Sequence, residues 1–403
     1  MYLGAEKFFH LTYCTNIHPS RGWEDVFASL RQYGTALKMQ FAPNDEFGIG
    51  LRLSGEESCE LLQGDLLQHF QAFLQEQGLY VFTLNGFPYG PFHHLPVKAE
   101  VHAPDWREEE RVRYTARLIE ILAFLLPDGL EGSISTSPLS YKAWVDPQDL
   151  ATWNCFTRNI VRIAEILVQL KQECGQTIYL AIEPEPDGLL ENSAEIEQFY
   201  TNWLLTVGAE MLATSLSMTQ VEACHHILEH IRVCLDTCHM AIAYEDPRTV
   251  LDRFERIGIK VGKVQLSSAL KVAFPDDAIV RAEIQRALEP FAESTYLHQV
   301  IQRNNDRTFS HYPDLITALP TMQQCEIAEW RIHFHVPIFL DHFPLFQSTQ
   351  NTIVDTLRLL AEKRFCHHME IETYTWSVLP SGLKMDLLAM IAREYAWVLR
   401  EMA

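Results

Sequence analysis

The chain reads as an α/β protein whose parallel strands close into a (βα)8 barrel, a TIM barrel, with a large insertion between its last two strands. Three observations predict this. Short apolar runs alternate with amphipathic helical stretches through most of the 403 residues, the pattern of βαβ units. The runs are mostly apolar throughout, as strands covered on both faces are. Three of them, Ile178–Glu183, Ile231–Asp236 and His368–Thr373, carry an acid at or beside their last residue. In a parallel barrel those ends all face one side.

Taken in order, Phe8–Thr15 is the first strand, rich in aromatic and β-branched residues, and Trp23–Gln32 the first helix. Phe47–Leu53 is the second strand. Ser54 caps the helix after it, with Glu57 completing a capping box, and that helix runs through Gln77 to a stop at Gly78. Leu79–Leu84 is the third strand. A long Pro-rich loop follows, holding His93, His94, Lys98 and His102, and ordered loops of this length are often functional. Trp106–Leu126 is helical and Gly132–Ser137 the fourth strand. Leu150–Glu173 is an amphipathic helix with Ile160, Ile163 and Leu167 on its buried stripe. Ile178–Glu183 is the fifth strand, with helices at Ala194–Leu212 and Val221–His230. Ile231–Asp236 is the sixth strand, Pro247–Ile257 a helix and Gly262–Ser267 the seventh strand. For the eighth, Arg331–Leu340 and His368–Thr373 compete, and Tyr296–Ile301 is a further strand candidate. Assigning His368–Thr373 to the barrel makes residues 270–346 the insertion within a single barrel domain 1–403. Ser348–Lys363 is then a helix, and Ser377–Met402, with Leu383, Leu387 and Ile391 inward, the last one.

Composition narrows the function. The formal net charge is −21 with 21% charged residues, and no basic cluster offers a nucleic-acid footprint. The longest apolar run, Leu118–Leu126, contains Glu120 and is too short to span a membrane. The N-terminus lacks the basic-then-apolar order of a signal peptide. The nine cysteines have no framework spacing, which fits a reducing cytoplasm. Cys234 and Cys238 flank Asp236, but no second pair completes a structural zinc site.

The chemistry gathers at the strand ends. Glu183, Asp236 and Glu372 would share one mouth, where three carboxylates repel and raise one another's pKa. A single divalent ion removes that conflict, and carboxylates with an amide or imidazole suit Mn, Mg, Co or Zn alike. Gln265, ending the seventh strand, is the fourth ligand expected. His239, one turn beyond Asp236, serves as ligand, ligand support or substrate contact. Glu185 and Glu370 share strand parity with their neighbours and stay open as alternatives. His10, Asn16 and Asn85, on or after the first and third strands, are expected against substrate. His333 and His335 alternate and so share a face; with His298 they are further imidazoles for the mouth. One acid at a strand end is ordinarily a helix cap or a solvated loop residue; three on strands of one barrel ask for a common cause. Lys98 and Lys142 are surface lysines by default and anion contacts otherwise.

The segments IYLAIEPEP, VCLDTCH and MEIETYT resemble the metal site of xylose-isomerase-like TIM barrels, a superfamily of ketose epimerases, sugar isomerases and endonuclease IV. The resemblance implies that Glu183 and Glu372 pass a proton on and off the substrate carbon. It also implies Asp236 as a ligand and His239 against substrate. The superfamily carries a histidine on the seventh strand where this chain has Gln265. A closer resemblance covers nearly the whole chain. HLTYCTNIHP, EPEPDGLLE, LDTCHMA, VQLSSAL, HFHVPIF and ETYTWSVLP together are similar to the EboE family. EboE is the barrel member of a bacterial metabolite-traffic cluster known from the sunscreen scytonemin. That resemblance implies a small-metabolite precursor as ligand and pathway partners that include a membrane protein. Three functions follow: metal-dependent proton transfer on a small metabolite; a binding or hand-over protein without catalysis; and, against the charge, a phosphodiesterase or nuclease.

Overall fold

Eight strands run side by side and parallel: β1 (Phe9–Tyr13), β2 (Phe47–Arg52), β3 (Leu79–Asn85), β4 (Gly132–Thr136), β5 (Ile178–Ile182), β6 (Ile231–Asp236), β7 (Val261–Leu266) and, after other elements, a closing strand at His368–Ile371. The closing strand pairs in parallel with both β7 and β1. The ring is completed between β1 and β2 by one parallel bridge, Cys14 to Gly50, and by the Thr12 hydroxyl donating to the Gly48 carbonyl at 2.9 Å. This is the expected (βα)8 barrel. The computed structural model describes residues 1–3, 8–93, 95–379 and 386–403. His94, Pro380 and Leu383 lie outside them.

The close approach at the seam depends on glycine. A Cβ on Gly50 would sit 1.8 Å from Glu370 Oε1 and 2.8 Å from the Tyr13 carbonyl. Only a hydrogen side chain lets β2 pass that carboxylate. Every residue of the eight strands is buried. Alternate residues face the helices and the barrel axis, so Val264 and Leu266 pack outward while Lys263 and Gln265 face in.

Helices cover the outside. The longest, Leu150–Cys174, starts at an Asp149 cap and ends at Gly175, whose φ of 76° closes the last turn. The Ser54/Glu57 capping box is present. The helix expected from Ser54 through Gln77 is divided into Gly55–Leu61 and Leu66–Gln77, because Gly64 between them takes a positive φ. Conversely, the first helix outruns Gln32 and continues to Phe41 through a widened turn at Leu30–Gly34. The final helix is Leu387–Glu401.

Between β7 and the closing strand the chain builds a second sheet. Its strands are β8 (Leu270–Ala273), β9 (Val300–Asn304), β10 (Phe309–Tyr312), β11 (Ile327–Ile332) and β12 (Gln347–Ser348), so the closing barrel strand is β13. All pairings in it are antiparallel, in the order β10-β9-β11-β8-β12. The two strand candidates of this region are therefore displaced. Tyr296–Ile301 becomes Val300–Asn304, and Arg331–Leu340 becomes Ile327–Ile332. His333 to Phe339 leave the strand as irregular chain, which carries His333 and His335 to the barrel mouth.

Candidate metal centre at the barrel mouth

Polar residues fill the barrel axis in layers. At the bottom His368 shares its Nδ1 with Tyr179 (3.2 Å) and Ser133 (2.9 Å). His10 belongs to this layer. Its Nδ1 lies 3.1 Å from the Tyr80 hydroxyl, and its ring packs against Phe82 and His368. The expectation that His10 contacts substrate is thus corrected. It stands at the start of β1, and its inward parity places it at the wrong end of the barrel. One layer up, Lys263 Nζ meets Glu370 Oε2 at 2.5 Å, both fully buried. Burial lowers the lysine's basicity, but the Glu370 carboxylate against it outweighs burial and holds Lys263 charged. Glu370, the alternative to Glu372, is therefore neutralised inside the barrel.

The top layer has no such cation. Glu183, Asp236 and Glu372 are 3%, 2% and 5% exposed. Glu183 is pushed well above the ordinary carboxyl range by burial, then by Glu372 and Asp236. Glu372 is raised likewise, by burial, then Asp236 and Glu370. Asp236 goes the other way. Burial would raise it, but the facing imidazoles of His239 and His335, the Ser267 hydroxyl and a backbone N–H hold it down. Its Oδ1 caps the helix Thr237–Ile242, accepting from Cys238 N (2.7 Å), His239 N (3.0 Å) and Ser267 Oγ (2.5 Å). Cap and candidate ligand are one residue, because the other oxygen stays free. Glu372 Oε1 accepts from Asn16 (2.7 Å) and Asn85 (3.0 Å). These asparagines, expected against substrate, orient a carboxylate and also line the cavity.

Gln265 sits beside Asp236 in the β6/β7 register. Its Oε1 accepts from Cys234 Sγ at 2.8 Å, and its Nε2 has no partner. The oxygen expected on a metal is thus occupied in this rotamer, so Gln265 is not arranged as the fourth ligand. An imidazole reaches the layer from elsewhere. His335, fully buried, has its Nδ1 2.8 Å from the Glu372 carbonyl. That fixes Nδ1 as the donor and leaves Nε2 as a bare acceptor. Burial lowers His335 to about 4, so it is neutral at pH 7. Ligand atoms of Asp236, His239 and His335 lie within 4.8 Å of one another. Glu183 Oε2, Asp236 Oδ2 and His335 Nε2 are all buried without hydrogen-bond partners. Orphaned atoms of this kind are costly to bury, and carboxylate oxygens and a neutral imidazole nitrogen are the ligand types of a divalent cation. His298 offers nothing here, since its two nitrogens meet the His333 carbonyl and Glu293, each at 2.8 Å.

Above this layer lies a small cavity of about 60 Å³. Glu183, Glu185, Glu372, His239 and His333 face it, with Phe92, Tyr296 and Tyr374 as aromatic walls. His239 Nε2 and His333 Nε2 are 3.1 Å apart, and His102 Nε2 lies 2.8 Å from Glu185 Oε1. Lys98 reaches the wall but is paired with Asp314 at 2.6 Å, and Lys142 is paired with Glu191 and Glu195. Sequence reasoning passed over Lys263, Ser267 and Gln299. The inward parity of Lys263 on an apolar strand was a readable signal for it. Nothing in the sequence pointed to Gln299.

No family model and no curated protein matches the chain. Solved structures similar to it include the probable 3-DHS dehydratase AsbF of Bacillus anthracis, 11% identical over 96% of this chain and 98% of that one, with a TM-score of 0.46. The IOLI protein with a bound zinc atom is 10% identical over 98% and 99%, at 0.47. A xylose isomerase domain protein from Alicyclobacillus acidocaldarius is 12% identical over 97% and 99%, at 0.41. The fold itself is established by the strand order above. No helix among the described residues is long and apolar enough to cross a membrane.

Proposed function

We propose that the protein is a metal-dependent enzyme that moves a proton next to a carbonyl on a small oxygen-rich metabolite. The observation that carries the reading is the set of orphaned acceptors, Glu183 Oε2, Asp236 Oδ2 and His335 Nε2, under one cavity. Glu183, Asp236, Glu372 and His335 would hold one divalent ion. Gln265 joins them only if its amide turns over and gives its oxygen up from Cys234. When bound, the ion polarises a substrate oxygen and makes the adjacent C–H acidic.

The residues supply the rest. Glu183 and Glu372 are the proton carriers: both line the cavity in which the substrate carbon would sit. Asn16 and Asn85 fix the carboxylate of Glu372 so that one oxygen faces the cavity. The aromatic walls exclude water. The EboE-like motifs support a place in metabolite traffic, with a cytoplasmic precursor as substrate and a membrane protein among the partners.

The experiment is incubation in D2O with a panel of ketoses, aldoses and their phosphates, read by mass spectrometry. Deuterium entering one C–H position, and failing to enter with Glu372→Gln, supports proton transfer. A second reading, hand-over without catalysis, is favoured by the engaged Gln265 amide. It is supported if no panel member exchanges while one binds.

A further inference from the structure

The helix Gln220–His230 ends in the sequence HILEH, which is His226 to His230. Residues four apart share a helix face, with Cβ atoms about 5–6 Å apart, so His226 and His230 stand one turn apart. Their ring centroids are 6.3 Å apart and their planes 20° from parallel. His230 is fully buried, and its Nδ1 lies 2.8 Å from the Ile178 carbonyl, an acceptor only. Nδ1 is therefore the donor, and Nε2 of the neutral ring carries a bare lone pair. That Nε2 is buried without a hydrogen-bond partner, and so is His226 Nδ1. Glu229 stands beside them. Its Oε1 accepts from Lys171 Nζ at 2.6 Å, and its Oε2 lies 3.9 Å from His230 Nε2.

We infer that His226, Glu229 and His230 form a divalent transition-metal site on the floor of the barrel, at the opposite end from the mouth. One ligand atom from each lies within 4.8 Å of the other two. His230 directly precedes β6 and Asp236 ends it. Six residues at about 3.3 Å each put this cluster roughly 20 Å from the carboxylate layer. Two imidazoles and a carboxylate suit Zn, Cu or Ni, and two His four apart on one helix face are a zinc-binding spacing. The helix end favours a cation, because its last carbonyls carry partial negative charge. The outer contacts are those of ligands: the Ile178 carbonyl fixes the tautomer of His230, and Lys171 fixes the carboxylate of Glu229. Burial holds His230 below the usual histidine range, against the pull of the Ile178 carbonyl, so it is a neutral donor. His226 and Glu229 are half-buried, which gives an ion its way in from solvent. His230 is bonded to β5 and Glu229 to the helix Leu150–Cys174, so an ion on both would clamp three elements together. The cluster shares no residue with the mouth and stands or falls independently of the proposed function.

The test uses the chelator-stripped full chain with Zn²⁺ as the probe, by calorimetry and by anomalous diffraction from zinc-soaked crystals. His226→Ala should weaken one equivalent at least about 100-fold, since even residues supporting ligands cost roughly 10–100-fold. Glu229→Gln keeps both rings and should weaken the same equivalent. An anomalous peak beside His226 and His230 should survive Glu372→Gln and vanish with His226→Ala. Zinc should raise the melting temperature of Glu372→Gln, and no longer do so once His226→Ala is added. The inference is overturned if both His226→Ala and Glu229→Gln, shown folded by metal-free melting curves, bind zinc as wild type does. It is also overturned if ordered His226 and His230 rings flank no peak at a zinc concentration that saturates binding in solution. A peak in the crystal with no His226-dependent equivalent in solution marks an adventitious ion only, and overturns it as well.

Discussion

Two layers of the barrel axis hold the same kinds of residue and treat them oppositely. In the lower one Lys263 and Glu370 meet at 2.5 Å and cancel. In the upper one Glu183, Asp236 and Glu372 share no ammonium or guanidinium partner in hydrogen-bond reach among the described residues, and oxygens on two of them are orphaned. The lower layer carries its own cation, although Glu370 Oε1 is buried without a hydrogen-bond partner. The upper layer carries no cation of its own, and the open cavity lies above it. Buried acid alone does not mark a site; buried acid that the protein leaves uncompensated does.

Breaking the lower layer should have the largest effect, and on stability only. Lys263→Met strands Glu370 in the interior and should cost about 3–5 kcal/mol, read by chemical denaturation. Lys263→Met combined with Glu370→Leu should recover most of the loss, and zinc binding should be unchanged in the double variant.

A second effect of similar size separates fold from site by pH. Glu394 on the final helix is fully buried, accepts from Thr373 Oγ1 and Ile338 N, and is raised by burial from 4.5 to about 8. Between those values the folded chain binds a proton that the unfolded chain has released. Its contribution is full below pH 4.5 and is lost as pH rises through about 8. The span is on the order of 5 kcal/mol. Glu394→Gln should flatten that slope in denaturation curves taken at pH 5 and pH 9.

The upper layer should answer with the opposite sign. Glu183→Gln removes a carboxylate that burial and its acidic neighbours disfavour. The metal-free variant should melt at or above the wild-type temperature, while Mn²⁺ affinity by calorimetry falls at least about 100-fold, since even residues supporting ligands cost roughly 10–100-fold.

Much of the barrel was legible because its strands are short, continuously apolar and separated by amphipathic helices. Ile231–Asp236 has the same limits in sequence and structure. The acids were legible as interruptions: a carboxylate ending a run such as IRVCLD has no apolar reason to be there. What was not legible depends on distance in space. His10 and Asn16 are six residues apart, yet one packs at the barrel floor and the other binds Glu372. Gln265 has the right position on its strand, but only the neighbouring thiol of Cys234 shows where its oxygen is used. His333 and His239 meet across 94 residues because the second sheet folds back over the mouth. No local periodicity carries that information.

The most direct measurement is anomalous diffraction from crystals soaked in Mn²⁺. The account predicts a peak bounded by Glu183, Asp236, Glu372 and His335, lost in Glu372→Gln crystals. Ordered side chains at those four positions with no peak among them, at a Mn²⁺ concentration that saturates binding in solution, would contradict it.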